Sequence, residues 1–330
     1  MSAGEDIAVR LVAPEEASHL VGLIQRCYGE TYIDPSFNSE AAVGELLRSG
    51  RLHSIGAFTE PGELVGHMGI TLRPHGGNTA DAGMTLVDPA FRGRGIARLV
   101  AVGLAQQAMA LGMVGVHDYP VTVHAATQRI GADFGVDTGL MLANLPGDVV
   151  FQEMETPSPG ARTSSLIRWL PFGLAPERTV CLPKRYRAQI EALYADALLS
   201  RSVVESDERP TQRESKLERA YDERRQTLRV AVTRIGRDLA DKVGAETRDA
   251  VTHGGLVAHV DLPLGDSATP AAIEALRAHG FFFAGLLPEY RDGDVLRMQW
   301  LADSVDDTVA SILSTDSTRA IEAFVLRDRT

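Results

Sequence analysis

Cysteine and lysine are both scarce in this chain. Its 330 residues include two cysteines, Cys27 and Cys181. A pair so far apart builds no disulfide framework, and a reducing cytoplasm is the simplest setting. The three lysines are Lys184, Lys216 and Lys242, and none follows a glycine. That excludes a phosphate-binding G-x-x-x-x-G-K-S/T loop. No apolar run reaches the ~18 residues needed to span a bilayer. Met1–Arg10 also lacks the basic-then-apolar order of a secretory signal. A G-x-S-x-G elbow is missing. No two of the nine histidines stand four apart, so an H-E-x-x-H helix is absent and no metal site is expected. Positive charge is thin in the first half. Residues 1–155 carry nine arginines, no lysine and 18 acidic residues, a net charge of −9, against −2 for residues 156–330. At −11 overall, the chain lacks the concentrated positive surface that nucleic acid requires. The acidic first half either attracts an amine-bearing partner or simply keeps the chain soluble.

What remains is an ordinary globular composition, 44% hydrophobic and 23% charged, long enough for two cores. Alternation predicts a strand at Ile7–Val12, and helical spacing predicts a helix over Pro14–Cys27. A second helix is expected at Ser39–Arg48, with Ser39 as N-cap and Gly50 closing it. Leu52–Phe58 and Leu64–Leu72 read as a hairpin about the turn Glu60-Pro61-Gly62-Glu63. Asn78–Val87 reads as a third strand, ended by Asp88-Pro89. A glycine-rich turn leads into a helix from Ile96 to Leu111. Then come a strand at Met113–Pro120, a helix at His124–Phe134 and a strand pair at Thr138–Leu145 and Val149–Met154. Residues 156–176 look like a connector with one packed apolar piece, Leu166–Leu174. A strand at Thr179–Leu182 and a helix at Tyr186–Leu199 follow. The charge-dense stretch Glu205–Arg225 reads as an exposed helix with a weak stripe through Leu217, Tyr221 and Leu228.

The sequence also repeats itself weakly. His124-Ala-Ala-Thr-Gln-Arg-Ile leading to Thr138-Gly-Leu-Met-Leu matches Pro270-Ala-Ala-Ile-Glu-Ala-Leu leading to Ala284-Gly-Leu-Leu-Pro. The offset is a constant 146 residues from Ala125/Ala271 to Gly139/Gly285. Two similar modules placed end to end would give this pattern.

The chemistry concentrates in Met84-Thr-Leu-Val-Asp-Pro-Ala-Phe-Arg-Gly-Arg-Gly-Ile-Ala97. A strand enters a turn holding Gly93 and Gly95, and a helix starts at once. Backbone N–H groups of Arg92, Gly93, Arg94, Gly95, Ile96 and Ala97 can then approach an anion at the positive end of the helix dipole. The dinucleotide pattern G-x-G-x-x-G fails, since its third position is Arg98. The spacing R-x-x-G-x-A is met by Arg92, Gly95 and Ala97.

With these residues the first half resembles the GCN5-related N-acetyltransferases (GNAT). Their motif R/Q-x-x-G-x-G/A follows a strand ending in V-x-P, here Val87-Asp88-Pro89. The order of elements over residues 7–154 matches as well. The resemblance implies a mixed α/β fold: a GNAT domain at 1–155, a connector at 156–176 and a degenerate GNAT-like module at 177–330. It implies acetyl-CoA or another acyl-CoA, with its pyrophosphate on Arg92–Ala97 and its pantetheine along the strand at Leu86 and Val87. That strand and the next would splay apart to admit it, and one N–H could polarise the thioester carbonyl. In this family a carboxylate before the motif often serves as base; here the acid is Asp81, which reads equally as a strand-end aspartate. The family's usual tyrosine acid is missing, its place falling at Ile130 or Gly131. Tyr119, His117 and His124 stand nearby as alternatives, either structural or catalytic.

In the second half, Thr227–Arg234 runs into Ile235-Gly-Arg-Asp-Leu-Ala240, where the paired glycines are absent, so no cofactor is expected there. That half is expected to wall the acceptor pocket or to form a homodimer contact. The resulting expectation is N-acyl transfer to a small amine, with no nucleic-acid or membrane partner. A silent acyl-CoA-binding regulatory protein and a protein-lysine acetyltransferase are the alternatives.

Overall fold

The computed structural model describes residues 7–60, 62–75, 77–154, 160–306 and 311–330. The first half runs β1 (Ala8–Leu11), α1 (Ala17–Tyr28), α2 (Glu40–Arg48), β2 (Leu52–Phe58), β3 (Leu64–Leu72), β4 (Thr79–Val87), α3 (Ile96–Ala110), β5 (Gly115–Asp118), α4 (Ala126–Gly131), β6 (Val136–Leu145) and β7 (Thr163–Pro171). Ser39 caps α2 by accepting from the Ala42 N–H, as the sequence pattern indicates. The buried stripe of α1 (Leu20, Val21, Leu23, Ile24, Cys27) packs on one face of the sheet. Ile96, Val100 and Leu104 of α3 pack among the core residues Ile55, Ile70 and Ala80.

The second half runs β8 (Arg178–Cys181), α5 (Arg187–Asp196), β9 (Arg201–Val204), β10 (Lys216–Asp222), β11 (Thr227–Arg234), α6 (Leu239–Thr252), β12 (Val257–Pro263), α7 (Thr269–Arg277), β13 (Phe282–Arg291), β14 (Gly293–Leu301) and α8 (Asp316–Arg329). β8 and β9 form a small parallel pair. The other twelve strands form one mixed sheet in the order β1-β2-β3-β4-β5-β7-β6-β13-β14-β12-β11-β10. Read outward from its centre, β6-β7-β5-β4-β3 mirrors β13-β14-β12-β11-β10. In both arms one parallel pair (β4·β5, β11·β12) sits among antiparallel ones.

The arms match residue by residue. Register shifts fall at Asp137/Gly139 and Met141/Leu145 in one arm, and at Phe283/Gly285 and Leu287/Arg291 in the other. Ala143 and Glu289 both take left-handed backbone, at φ 50° and 49°. All of these pairs are offset by the 146 residues of the sequence repeat. The arms meet where the repeat superposes on itself, since Gly139 is registered against Gly285. A Cβ on Gly139 would collide with the Ala284 carbonyl and the Gly285 Cα, and one on Gly285 with Ile167 and Gly139. Only glycine permits so close a crossing. Beside it the buried Gln299 side chain spans the junction. Its amide donates to the Leu140 and Phe283 carbonyls and accepts from the Leu142 N–H.

Three expectations need correction. The connector at 156–176 contains β7, which lies inside the sheet between β5 and β6; residues 156–159 lie outside the described set, as does Pro61 of the hairpin turn. The packed piece Leu166–Leu174 is the end of this strand, and Leu174 itself is exposed. Its run Leu166-Ile-Arg-Trp-Leu170 fails to alternate because both faces are covered. Val149–Met154 forms no strand. The stretch Glu205–Arg225 is no helix, and its ordered part is the edge strand β10. Leu217 and Tyr221, four apart, share a face in either geometry, and the interleaved charge suits an exposed edge.

The glycine crossing yields a stability prediction. Gly139→Val and Gly285→Val should each cost about 2 kcal/mol or more by overpacking. Gly83→Ala, whose Cβ would meet nothing within 4 Å, should cost far less. Thermal unfolding of the three variants tests this, and equal shifts would reject a tight crossing.

Candidate active site

At the end of β4, Asp88 accepts from the Ala90 N–H and pairs with Arg26, which fixes the turn into the loop. Gly93 and Gly95 follow with φ of 76° and 79°. A Cβ on either would meet nothing within 4 Å, so the loop borders open space. Within the described residues the N–H groups of Gly93, Gly95, Ile96 and Ala97 have no acceptor. These are the free first-turn donors of a fifteen-residue helix, α3, at the positive end of its dipole. The cradle fits a pyrophosphate. Arg92 serves it indirectly, since its guanidinium donates to the Gln152 carbonyl (2.8 Å) and holds segment 151–154 beside the cleft. Arg94 lies over the Phe91 ring. Leu86, Val87, Gly95, Ile96 and Ala97 all line the same cleft, as do Ile130 of α4, a helix with no tyrosine, and Tyr28 of α1.

The expected splay is present. The β4·β5 ladder holds three pairs and stops at Asp81–His117. β5 ends at Asp118, while β4 runs on to Val87. A bulge helps the strands part. Met84 takes φ 53°, and the β3·β4 register shifts between His67 and Gly69. His67 is fully buried beneath it. Its Nδ1–H donates to the Met84 carbonyl (2.9 Å), and Nε2 accepts from the Ser54 hydroxyl. Burial pushes its pKa down to about 4.

Beyond the splay the cleft opens into a chamber of about 250 Å3, which shares Tyr28, Thr85, His124, Thr127 and Phe151 with the cradle. Asp81, Tyr119 and His124 all face this chamber. Asp81 Oδ1 accepts from the Tyr119 hydroxyl (3.1 Å) and pairs with Arg73. Arg73 in turn lies 4.1 Å from the centre of the Tyr290 ring. The Tyr119 phenol is raised well above its ordinary pKa by burial, with Asp81 adding to the effect. His124 stands at the junction of cradle and chamber, edge-on to Phe151 at 5.2 Å. Its Nδ1 has no partner among the described residues. Burial lowers its pKa, and the Arg92 charge lowers it further. His117 is sealed beneath Trp169 and Tyr290 and lines neither space.

Several lining groups were not singled out from the sequence. Asp118 is buried, accepts from the Tyr119 N–H and is pushed up to about 6 by burial. Tyr290, Arg225, Arg229 and Arg297 come from the second half. Arg297 is doubly bonded to Asp261 (2.7 Å each). No local pattern marks these residues, because only the junction between the arms brings them to the site.

The matching loop of the second half is already occupied. A Cβ on Gly236 would strike the backbone of Glu214 and Ser215. The Gly236 N–H donates to Ser215 Oγ, the Arg237 N–H donates to the Gln212 carbonyl, and Asp238 accepts from the Ser215 N–H. Its donors are spent on the chain itself. Among the described residues no group of His, Cys, Asp and Glu could hold a metal, and no helix is long and apolar enough to cross a membrane.

Residues 18–125 match the model of the Acetyltransferase (GNAT) family, and this part of the chain is a GNAT domain. No curated protein matches the sequence. Similar solved structures include the ribosomal-protein-S18-alanine N-acetyltransferase from Escherichia coli, at 13% identity and TM-score 0.41, covering 52% of this chain and 97% of that one. An N-acetyltransferase from Staphylococcus aureus has 15% identity and TM-score 0.41, covering 51% and 99%. The yncA protein of Salmonella typhimurium, solved with its cofactor acetyl-CoA, has 13% identity and TM-score 0.42, covering 52% and 96%.

The buried His67 sets a pH dependence. An unfolded histidine titrates at 6.5, but this one must stay neutral in the fold to about pH 4. Below pH 6.5 the unfolded chain therefore binds the extra proton, and stability falls as pH falls. The loss should approach about 3 kcal/mol by pH 4 from this group alone. Denaturant unfolding between pH 7 and 4 should show a shallower slope in His67→Asn; an unaltered slope would remove His67 from the account.

Proposed function

We propose that this chain is an acyl-CoA-dependent N-acetyltransferase acting on a small amine through its first half. One observation carries the reading: an open cradle of free N–H donors joins, through the splayed β4 and β5, a polar chamber with His124 at the junction. Gly93, Gly95, Ile96 and Ala97 would hold the pyrophosphate by their N–H groups, and Leu86 and Val87 would flank the pantetheine. Bound acetyl-CoA supplies an activated acyl thioester. His124 takes the proton that the acceptor ammonium must lose, because its imidazole is kept neutral by burial and its residue lines both the cradle and the chamber. Asp81, already paired with Arg73 and Tyr119, serves to fix the Tyr119 ring in the chamber wall. The second half closes the chamber with Tyr290 and three arginines, which favours a small acceptor over a lysine on a folded protein.

Replacing Gly95 with Trp should abolish coenzyme A binding in a folded chain, since the cradle needs both space and left-handed backbone there. Isothermal titration reads the affinity, and an unchanged value rejects the cradle. Native mass spectrometry should find one coenzyme per chain; two equivalent sites would contradict the spent donors around Gly236.

His124→Gln should lower kcat about 100-fold or more, the range of a positioned base, while acetyl-CoA still binds. In the unaltered chain kcat should hold down through pH 6.5 and decline only below it, where a depressed imidazole takes up its proton. Asp81→Asn should lose far less activity. The reverse ranking of the two variants would move the base to Asp81, and thioester cleavage with no amine in a broad panel would leave a silent binder.

A further inference from the structure

Five permanently charged or acidic side chains line the acceptor chamber: Asp81, Asp118, Arg225, Arg229 and Arg297. Three have close partners of opposite charge, as Asp81 pairs with Arg73, Arg225 with Asp222, and Arg297 with Asp261. Two have none. Asp118 accepts one backbone N–H, and the nearby Arg168 is doubly engaged with Asp137. The Arg229 side chain, on β11, is exposed and makes no hydrogen bond or ion pair among the described residues, and it also borders a neighbouring cleft lined by Glu218 and Asp261. Its charge lowers the pKa of Asp222, which Arg225 already holds. The chamber thus presents one buried anion without an ion-pair partner on the first half, and one solvent-exposed cation without one on the second.

A polyamine would satisfy Asp118 and be repelled by Arg229. A simple amine would leave Arg229 unused. We propose that the acceptor is an amino carboxylate, its ammonium lying toward Asp118 and His124 and its carboxylate held by Arg229. The inference rests on the acetyltransferase reading and names its substrate class. The guanidinium fork matches a planar carboxylate. A single unmatched positive charge also suits a monoanion better than a phosphate monoester, which carries between one and two charges at neutral pH. The acidity of the first half, which either attracts an amine or only keeps the chain soluble, is offset at the site by arginines from the second half.

The test is a panel of the twenty common amino acids, their carboxamides, spermidine and butylamine, each assayed with acetyl-CoA. At least one free amino acid should exceed its own carboxamide in kcat/KM by about 10-fold or more, the scale of a charge-assisted hydrogen bond. Arg229→Gln should collapse that ratio toward one by raising KM for the acid, and Arg229→Lys should recover part of it. Carboxamides or polyamines equal to the best amino acid would overturn the inference, as would a ratio indifferent to Arg229→Gln. So would a chain that binds acetyl-CoA and acetylates none of the amino acids. Acetyl-CoA binding is read by calorimetry on the same preparations. A chain that does not bind it overturns the acetyltransferase reading, a failure distinct from acetylation of butylamine or spermidine alone.

Discussion

Two backbones touch at Gly139 and Gly285, and the architecture depends on that contact. Neither residue can carry a side chain, because each occupies the space a Cβ on the other would need. Strands β6 and β13 therefore approach closely enough for twelve strands to form one sheet. With any larger residue there the arms would separate, and β13 could not bring Tyr290 over Arg73 and His117. The junction needs few hydrogen bonds of its own because Gln299 supplies them from one side, bonding to both arms with its amide. A buried amide satisfied by three backbone partners also specifies register, since a slipped strand would leave it unpaired.

The opening between β4 and β5 depends on the opposite device, a ladder that stops. Three pairs hold the strands and six further residues of β4 run free. A free strand side in a protein interior would leave donors unsatisfied, so an opening of this kind is either filled or used. In the first half it continues into a cradle whose donors are also free. At the matching loop of the second half, Gln212–Ser215 has taken up the donors of Gly236 and Arg237. The two loops share the same strand–turn–helix layout and differ in whether their own chain has filled them.

Much of this was legible in the sequence, because the signals were local. The cradle at Arg92–Ala97 showed in its glycine spacing, and the bounds of β2 and β3 in their alternation and turn residues. The 146-residue repeat was visible as well, and its meeting point at Gly139 and Gly285 fell within the matched segments. β7 was hidden because burial on both faces removes alternation, and because Arg168, paired with Asp137 inside the fold, breaks the apolar run. β10 was misread because a spacing of four satisfies both a helix and a strand. The chamber's arginines were invisible for a different reason. Splitting the charge by halves assigns them away from the site, and only the junction restores them.

The filling of the second loop and the walling of the first chamber are mechanically connected. Ser215, held by Gly236 and Asp238, immediately precedes β10. β10 pairs with β11 from Lys216 to Asp222, and the turn between them carries Arg225 to the chamber, with Arg229 four residues on. The first half grips that turn from its own side. Arg162 donates to the Arg225 carbonyl (2.7 Å), and Asp148 pairs with Arg224. The hairpin is therefore anchored at its base by the filled loop and at its tip by the first half. A second loop left open would have lost the Ser215 anchor, and the hairpin that lays arginines across the chamber would have been held at one end only. One open cradle and one filled loop, with a chamber shared by both halves, follow from the same few hydrogen bonds.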